Sequence, residues 1–399
     1  MRKVVFIIGI LMILFVSVSC KDSVDRLFGI SLTLYANDGT GTATTLSIDR
    51  KDGKIPACPF TREGFGHAGW NTKQDGSGTS YMKGDAIPDS GDLVLYARWG
   101  VALTETTDEW ENGVTYALDR DITIGTRVSI DGAVALYLSE EYTLTASKGI
   151  NVPGGSTITI SGSGVLAAAG DDNAAIGGNK GKSTGTIVVN GGTINTTPTP
   201  LSNYGGAAIG SGLSGSGGTV SIHGGIVNAT TGVGNFGAGI GGGQLSDGGT
   251  ITISGGTVNA TGGNGGAGIG GGGDGSGGTI TISGGTVTAR GGGGGAGIGG
   301  GSYGSGGTIT ISGGIVTADG GNSGAGIGGG DHGSGGLITI SGGTVTASSE
   351  DPEASGIGGG YSGADGTLNH PGISLKVSSD KTDWEDYDGS NRKRYMKTN

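Results

Sequence analysis

The chain has 399 residues, of which 96 are glycine, 8 proline and only 14% charged, with a formal net charge of −11. A glycine share this high without a Gly-X-Y period excludes collagen, and regularly placed aliphatic residues argue against a disordered linker. The acidic balance argues against a nucleic-acid partner, which calls for basic patches, and two cysteines, Cys20 and Cys58, cannot form a disulfide framework.

The chain opens MRKVVFIIGILMILFVSVSC. Arg2 and Lys3 precede an apolar run from Val4 to Val18. That run is shorter than the roughly 20 residues of a bilayer span, so residues 1–19 are expected to be a signal peptide. The alternatives are an uncleaved anchor helix and an ordinary secretory signal. "SVSC" resembles a bacterial lipobox through Ser19 and Cys20, while Ser17 departs from its usual Leu. The resemblance implies cleavage before Cys20 and lipid attachment to its sulfur. Residues 20–28 would then be a lipidated N-terminus and linker, tethered to a membrane and facing outside the cytoplasm in the cell envelope.

Residues 29–99 have a different composition. Ile30, Leu32 and Leu34 alternate before a turn, and Leu93 to Trp99 reads as a strand. Between them stand Pro59, Arg62, Glu63, Gly64, Phe65, Gly69, Trp70 and Tyr81, followed by Leu95, Tyr96, Ala97 and Trp99. This pattern resembles the Listeria–Bacteroides (internalin B-type) repeat, which implies a small β-grasp-like module of bacterial surface proteins. In a domain so small, Phe65, Trp70, Tyr96 and Trp99 are expected in the core rather than on a sugar platform. His67 has no partner at metal-ligand spacing, and Cys58 is expected to be a buried or half-buried thiol, not a nucleophile.

Self-similarity governs the rest. Thr-Ile-Thr-Ile-like runs begin at Thr157, Thr186, Thr219, Thr250, Thr279, Thr308 and Leu337, the last four at a spacing of 29. An Ile-Gly element recurs with them at Ile176, Ile209, Ile240, Ile269, Ile298, Ile327 and Ile357. Within each run apolar and small polar residues alternate, which is the strand period. Runs of four or five residues are too short for isolated hairpins, whereas stacking pairs each with its equivalents. The expected fold is therefore all-β: a right-handed parallel β-helix with coils of about 29 residues, preceded by the small module.

Three inward columns are predicted: Ile160 to Ile340 through Val189, Ile222, Ile253, Ile282 and Ile311; Ile194 to Val345 through Val227, Val258, Val287 and Val316; and the Ile176 to Ile357 series. Residues 100–150 are expected to supply the N-terminal cap and first coils, 151–369 the Gly-rich repeats, and 370–399, with Trp384, the C-terminal cap. About nine coils at ~4.8 Å each predict a rod of roughly 45 Å.

No catalytic, metal or cofactor residue is expected. Asp171, Asp172, Lys180, Lys182, Asp247, Asp274, Arg290, Asp319 and Asp331 read as falling at different phases of the repeat. Asp171 and Asp172, the only adjacent carboxylates there, would point to opposite faces of a strand. The nonapeptide spacing of a calcium roll is missing, and no Gly-Lys-Ser/Thr follows a strand. Tyr204, Phe236, Tyr303 and Tyr361 read as out of phase, forming no strip. Outward Thr252, Thr281, Thr310 and Thr339 form a hydroxyl lattice of the kind ice-binding solenoids use, but threonine is also an ordinary solvent-facing strand residue.

The "TITISGGTVTA" style resembles Gly-rich β-helix proteins of bacterial surfaces, which implies adhesion or carbohydrate contact. The sequence reading is thus a non-enzymatic cell-envelope lipoprotein whose partners are a membrane and glycans or host surface components. The alternatives are a polysaccharide-active enzyme with a degenerate site and a purely structural stalk.

Overall fold

The computed structural model describes residues 30–48, 53–88, 91–197, 205–232, 234–378, 383–387 and 395–398. The signal segment 1–19, Cys20 and Tyr204 lie outside the described residues. The chain divides into two compact units, one of residues 1–59 and 70–97, the other of residues 60–69 and 98–399.

In the first unit Ile30–Tyr35 pairs antiparallel with Ala43–Ile48 and parallel with the first half of Leu93–Ala102. Its inward residues Ile30, Leu32, Leu34, Leu95 and Ala97 are buried together with Ile55 and Trp70. Alternation along the strand selects these residues, because every second side chain points to the same face. Of the four aromatic residues expected in this core, only Trp70 is fully buried. Tyr96 is half-buried and stacks on Tyr35 at 5.0 Å. Phe65 and Trp99 are half-buried and belong to the second unit, where Arg62 lies 4.0 Å over the Phe65 ring and Trp99 meets His67 edge-on. Cys58 is half-buried, as expected.

The second unit is a parallel β-helix with three faces. One coil shows the rule. Thr279–Ile282 lies on face one, Thr286–Arg290 on face two and Ile298–Gly299 on face three, and each pairs in parallel with its equivalents one coil away. Ile280, Ile282, Val287, Ala289 and Ile298 point inward and are buried, while Thr279, Thr281, Thr286 and Thr288 point outward. The three predicted columns exist rung by rung, from Ile160 to Ile340, Ile194 to Val345 and Ile176 to Ile357, each member at most 5% exposed. Burying each of these side chains contributes about 1.5–3 kcal/mol. No single coil holds enough of them to stand alone, so stability comes from stacking.

The stack begins before the Gly-rich repeats. Thr115–Ala117, Ile122–Ile124 and Val128–Ile130 make the first coil, and their inward residues are buried. Above them the buried Trp110 stacks on Tyr116 at 5.4 Å, and its indole N–H donates to the Thr107 carbonyl at 3.0 Å. At the other end the direction of pairing reverses. Tyr395–Thr398 lies antiparallel to Thr344–Ser348, and Leu375–Ser378 lies antiparallel to Tyr395–Thr398. Leu375 and Met396 are buried there, and Lys397 Nζ sits 4.1 Å over the Trp384 ring. The tail therefore covers the open edge of face two, the place where a further parallel strand would otherwise add.

Face three is a ten-stranded sheet built from two-residue strands except for the three-residue Val128–Ile130. Its glycines, from Gly177 through Gly270 and Gly299 to Gly358, have φ between +129° and +141°, a region closed to residues with a β-carbon. Short strands leave long turns on both sides of this face, and those turns build the candidate site.

Candidate functional site

After each face-three strand the chain makes a tight turn with one residue in the left-handed region. In successive coils this residue is Gly181, Ser214, Leu245, Asp274, Tyr303, His332 and Ser362, the last six with φ between +53° and +65°. Glycine suits that conformation best, and a side chain there costs on the order of 1 kcal/mol or more. In a chain rich in glycine, six consecutive coils place a side chain at this position, and all six are exposed. Strain retained at an exposed position points to a use for the side chains.

The turns are held by two sets of backbone bonds. From Gly181 to His332 each of these residues donates its N–H to the next coil, as Tyr303 does to Asp331 at 2.7 Å and His332 to Tyr361 at 2.8 Å. The residue before it donates to the turn that follows face two, as in Gly273 to Phe236, Ser302 to Gly265, Asp331 to Gly294 and Tyr361 to Ser323, at 2.7–2.8 Å. The turn after face three is thus sewn to the face-two turn of the preceding coil, which makes one seam along the β-helix. Phe236 packs over the bare backbone of Gly265 and Gly273 in this seam.

Along the seam the side chains make a ladder. The Tyr303 ring stacks on the His332 imidazole with centroids 5.3 Å apart, and His332 meets Tyr361 edge-on at 5.7 Å. Asp331 Oδ1 stands 2.7 Å from His332 Nδ1. Tyr303 is 65% exposed and Leu245, two coils away, 57%. The ladder offers a phenol hydroxyl, an imidazole, carboxylates and apolar surface on one line. That set suits a hydroxyl-bearing ligand with apolar patches.

This corrects the expectation that Tyr303 and Tyr361 form no strip. They are joined through His332, and Tyr303 and His332 stand one repeat of 29 residues apart. The following coil is one residue longer, since Ile327 and Ile357 are 30 apart, so Tyr361 takes the place of Asp331 and reaches the imidazole from the side. Comparing His332 with the tyrosines at the repeat period would have found the ladder.

The other candidates resolve as follows. Asp171 and Asp172 lie in a turn, not on a strand. Asp171 Oδ1 accepts hydrogen bonds from the Asn173 backbone at 2.9 Å and from its side chain at 2.8 Å, and Asp172 pairs with Lys180 at 2.9 Å. The crevice beside Asp171 and Asn235 holds about 10 Å³, room for a water at most. The expectation that the charged residues fall out of phase fails at Arg290 and Asp319, which are register partners on face two and lie 3.7 Å apart. Thr252, Thr281, Thr310 and Thr339 do form one outward column.

Burial lowers the His67 pKa to about 4, against a smaller opposing effect of the Gly69 backbone, and Ser139 Oγ donates to the His67 carbonyl at 2.9 Å. Among the described residues no group of three His, Cys, Asp or Glu side chains could hold a metal ion, and no helix is long and apolar enough to cross a membrane.

The fold and its seam define a parallel β-helix with side chains displayed from its turns. A family model described as a beta helix repeat matches residues 158–180, 220–244, 251–273, 280–302, 309–331 and 338–361. Each matched segment runs from a face-one strand through face two to the turn after face three. The coil that starts at Thr186 is passed over; the next face-one strand begins 33 residues later, at Thr219. No curated protein and no solved structure matches the chain.

Proposed function

We propose that this chain is a non-enzymatic lipoprotein of the cell envelope whose β-helix displays a contact surface for glycans or other surface components. The observation that carries this reading is the exposed seam of Leu245, Tyr303 and His332, held on left-handed residues where glycine would cost less, with the half-buried Tyr361 edge-on to His332. Rigid display on stacked coils suits binding, because little side-chain freedom is left to lose on contact. The lipobox-like Ser19–Cys20 supports the anchor, and the Pro59 to Trp99 pattern supports a Listeria–Bacteroides-type module that precedes the Gly-rich repeats in the sequence.

A glycan array probed with the full chain tests the surface. Binding that falls in Tyr303→Ser and His332→Ser supports the reading, and an array without binding refutes it. Turnover of any bound glycan would move the reading to a polysaccharide-active enzyme. Palmitate labelling that is unchanged in Cys20→Ala would refute the anchor.

A further inference from the structure

At the C-terminal end of face two the rungs Thr261, Arg290, Asp319 and Ser348 lie in register, and Tyr395 of the antiparallel tail pairs with Ser348. These are the last residues of their strands, where the chain turns away through Gly291, Gly320 and Ser349. A β-carbon on Gly291 or Gly320 would collide with the Gly295 or Gly324 carbonyl oxygen, so glycine lets the turn fold back close beside the strand ends. The result is a cleft of about 410 Å³, walled by Arg290, Asp319, Ser348, Glu350 and Tyr395. That volume lies in the range of small-molecule sites.

The polar groups of the cleft are arranged for hydroxyls. Asp319 Oδ1 accepts a hydrogen bond from Ser348 Oγ at 2.6 Å, which fixes the carboxylate, while Oδ2 stands 3.7 Å from Arg290 Nε. At that distance the ion pair is loose and both groups are part-exposed, so the guanidinium keeps N–H donors for a ligand. A sugar carries neighbouring hydroxyls that can donate to a carboxylate and accept from a guanidinium at once. Tyr395 adds a ring and a hydroxyl at the wall. One guanidinium stands against two carboxylates, Asp319 and Glu350, so an anionic sugar meets net repulsion.

The geometry points to a saccharide subsite in this cleft, selective for a neutral, hydroxyl-rich sugar residue over a uronate. It rests on the glycan-contact reading above and lies apart from the seam in the residues it uses.

The test is titration calorimetry of the full chain with cellotetraose, chitotetraose, mannotetraose and tetragalacturonate. Two variants take the residues already present on neighbouring rungs, Arg290→Thr after Thr261 and Asp319→Ser after Ser348, so the coil geometry is retained. The expected result is binding of at least one neutral tetrasaccharide, none of tetragalacturonate, and a loss of about tenfold or more in each variant. Tetragalacturonate binding as tightly as the neutral probes, or neutral binding unchanged in both variants, would overturn the subsite. Array binding that depends on Tyr303 while no tetrasaccharide binds would overturn the cleft and leave the seam standing. An array with no binding would remove both.

Discussion

Gly270 and Gly299 occupy successive rungs of face three, and a β-carbon on Gly270 would collide with the Gly299 carbonyl oxygen. The same collision recurs along the column, and φ is +134° at Gly270. Gly270→Ala is therefore expected to destabilise the β-helix by about 3 kcal/mol or more, through strain and forced separation of coils. Gly125 has open space around the β-carbon position, so Gly125→Ala should shift stability by no more than about 0.5 kcal/mol. Urea unfolding midpoints check the pair, and equal effects would contradict the account.

The inward and outward positions of one strand should behave differently. Ile282→Ala removes a fully buried side chain whose neighbours are the equivalent isoleucines above and below, and should cost about 2–5 kcal/mol. Thr281→Ala, on the outer side of the same strand, should change stability by about 0.5 kcal/mol or less. Thermal or urea unfolding of the two variants decides it.

The core was legible because two periods coincide in it. Alternation sorts Ile280 from Thr281, and the 29-residue repeat places Ile253, Ile282 and Ile311 on successive rungs. Turn residues carry no alternation, so the Tyr303–His332–Tyr361 ladder shows only when unlike residues are compared at the repeat period. Tyr361 also lies 29 residues after His332, although the one-residue insertion before Ile357 puts it at the Asp331 position of its turn. Arg290 and Asp319 obey the same period, yet they end strands, where glycine and charge obscure the pattern. Asp171 and Asp172 looked like strand neighbours because their turn is made by side-chain hydrogen bonds to Asn173 and Lys180, which no periodicity reports. In the first module, compact size argued for buried aromatics, but only Trp70 is enclosed.

His67 should make the second unit acid-sensitive. Burial lowers its folded pKa to about 4, whereas in an unfolded chain it titrates near 6.5, the ordinary value for an imidazole. Between these values the unfolded chain holds a proton that the folded chain does not, so stability rises with pH across that window and is lost as pH falls through it. The full loss is on the order of 3 kcal/mol. Urea midpoints between pH 4 and 7.5 should fall more steeply on the acid side for the native chain than for His67→Gln. Parallel curves would contradict this.

Arg127 ties the first coils together. Its Nε donates to Asn179 Oδ1 at 2.6 Å and its Nη1 to the Lys148 carbonyl at 2.7 Å, and burial lowers its pKa to about 10 while Asp171 opposes the shift. Arg127→Met keeps the aliphatic stem but leaves those acceptors without their donor. A loss of about 1–3 kcal/mol is expected. Hydrogen exchange should quicken most over residues 128–151, and exchange that is unchanged there would show that the contacts do not hold the coils.

The register of the stack can be measured directly with spin labels at Ser221 and Thr339, in a background without the two native cysteines. The outer face-one column runs Ser221, Thr252, Thr281, Thr310, Thr339, one rung at a time. Four rungs predict a narrow distribution centred near ~19 Å between the labelled backbones. A flexible glycine-rich chain of the same sequence separation would give a broad distribution around ~60 Å, and that result would contradict the account.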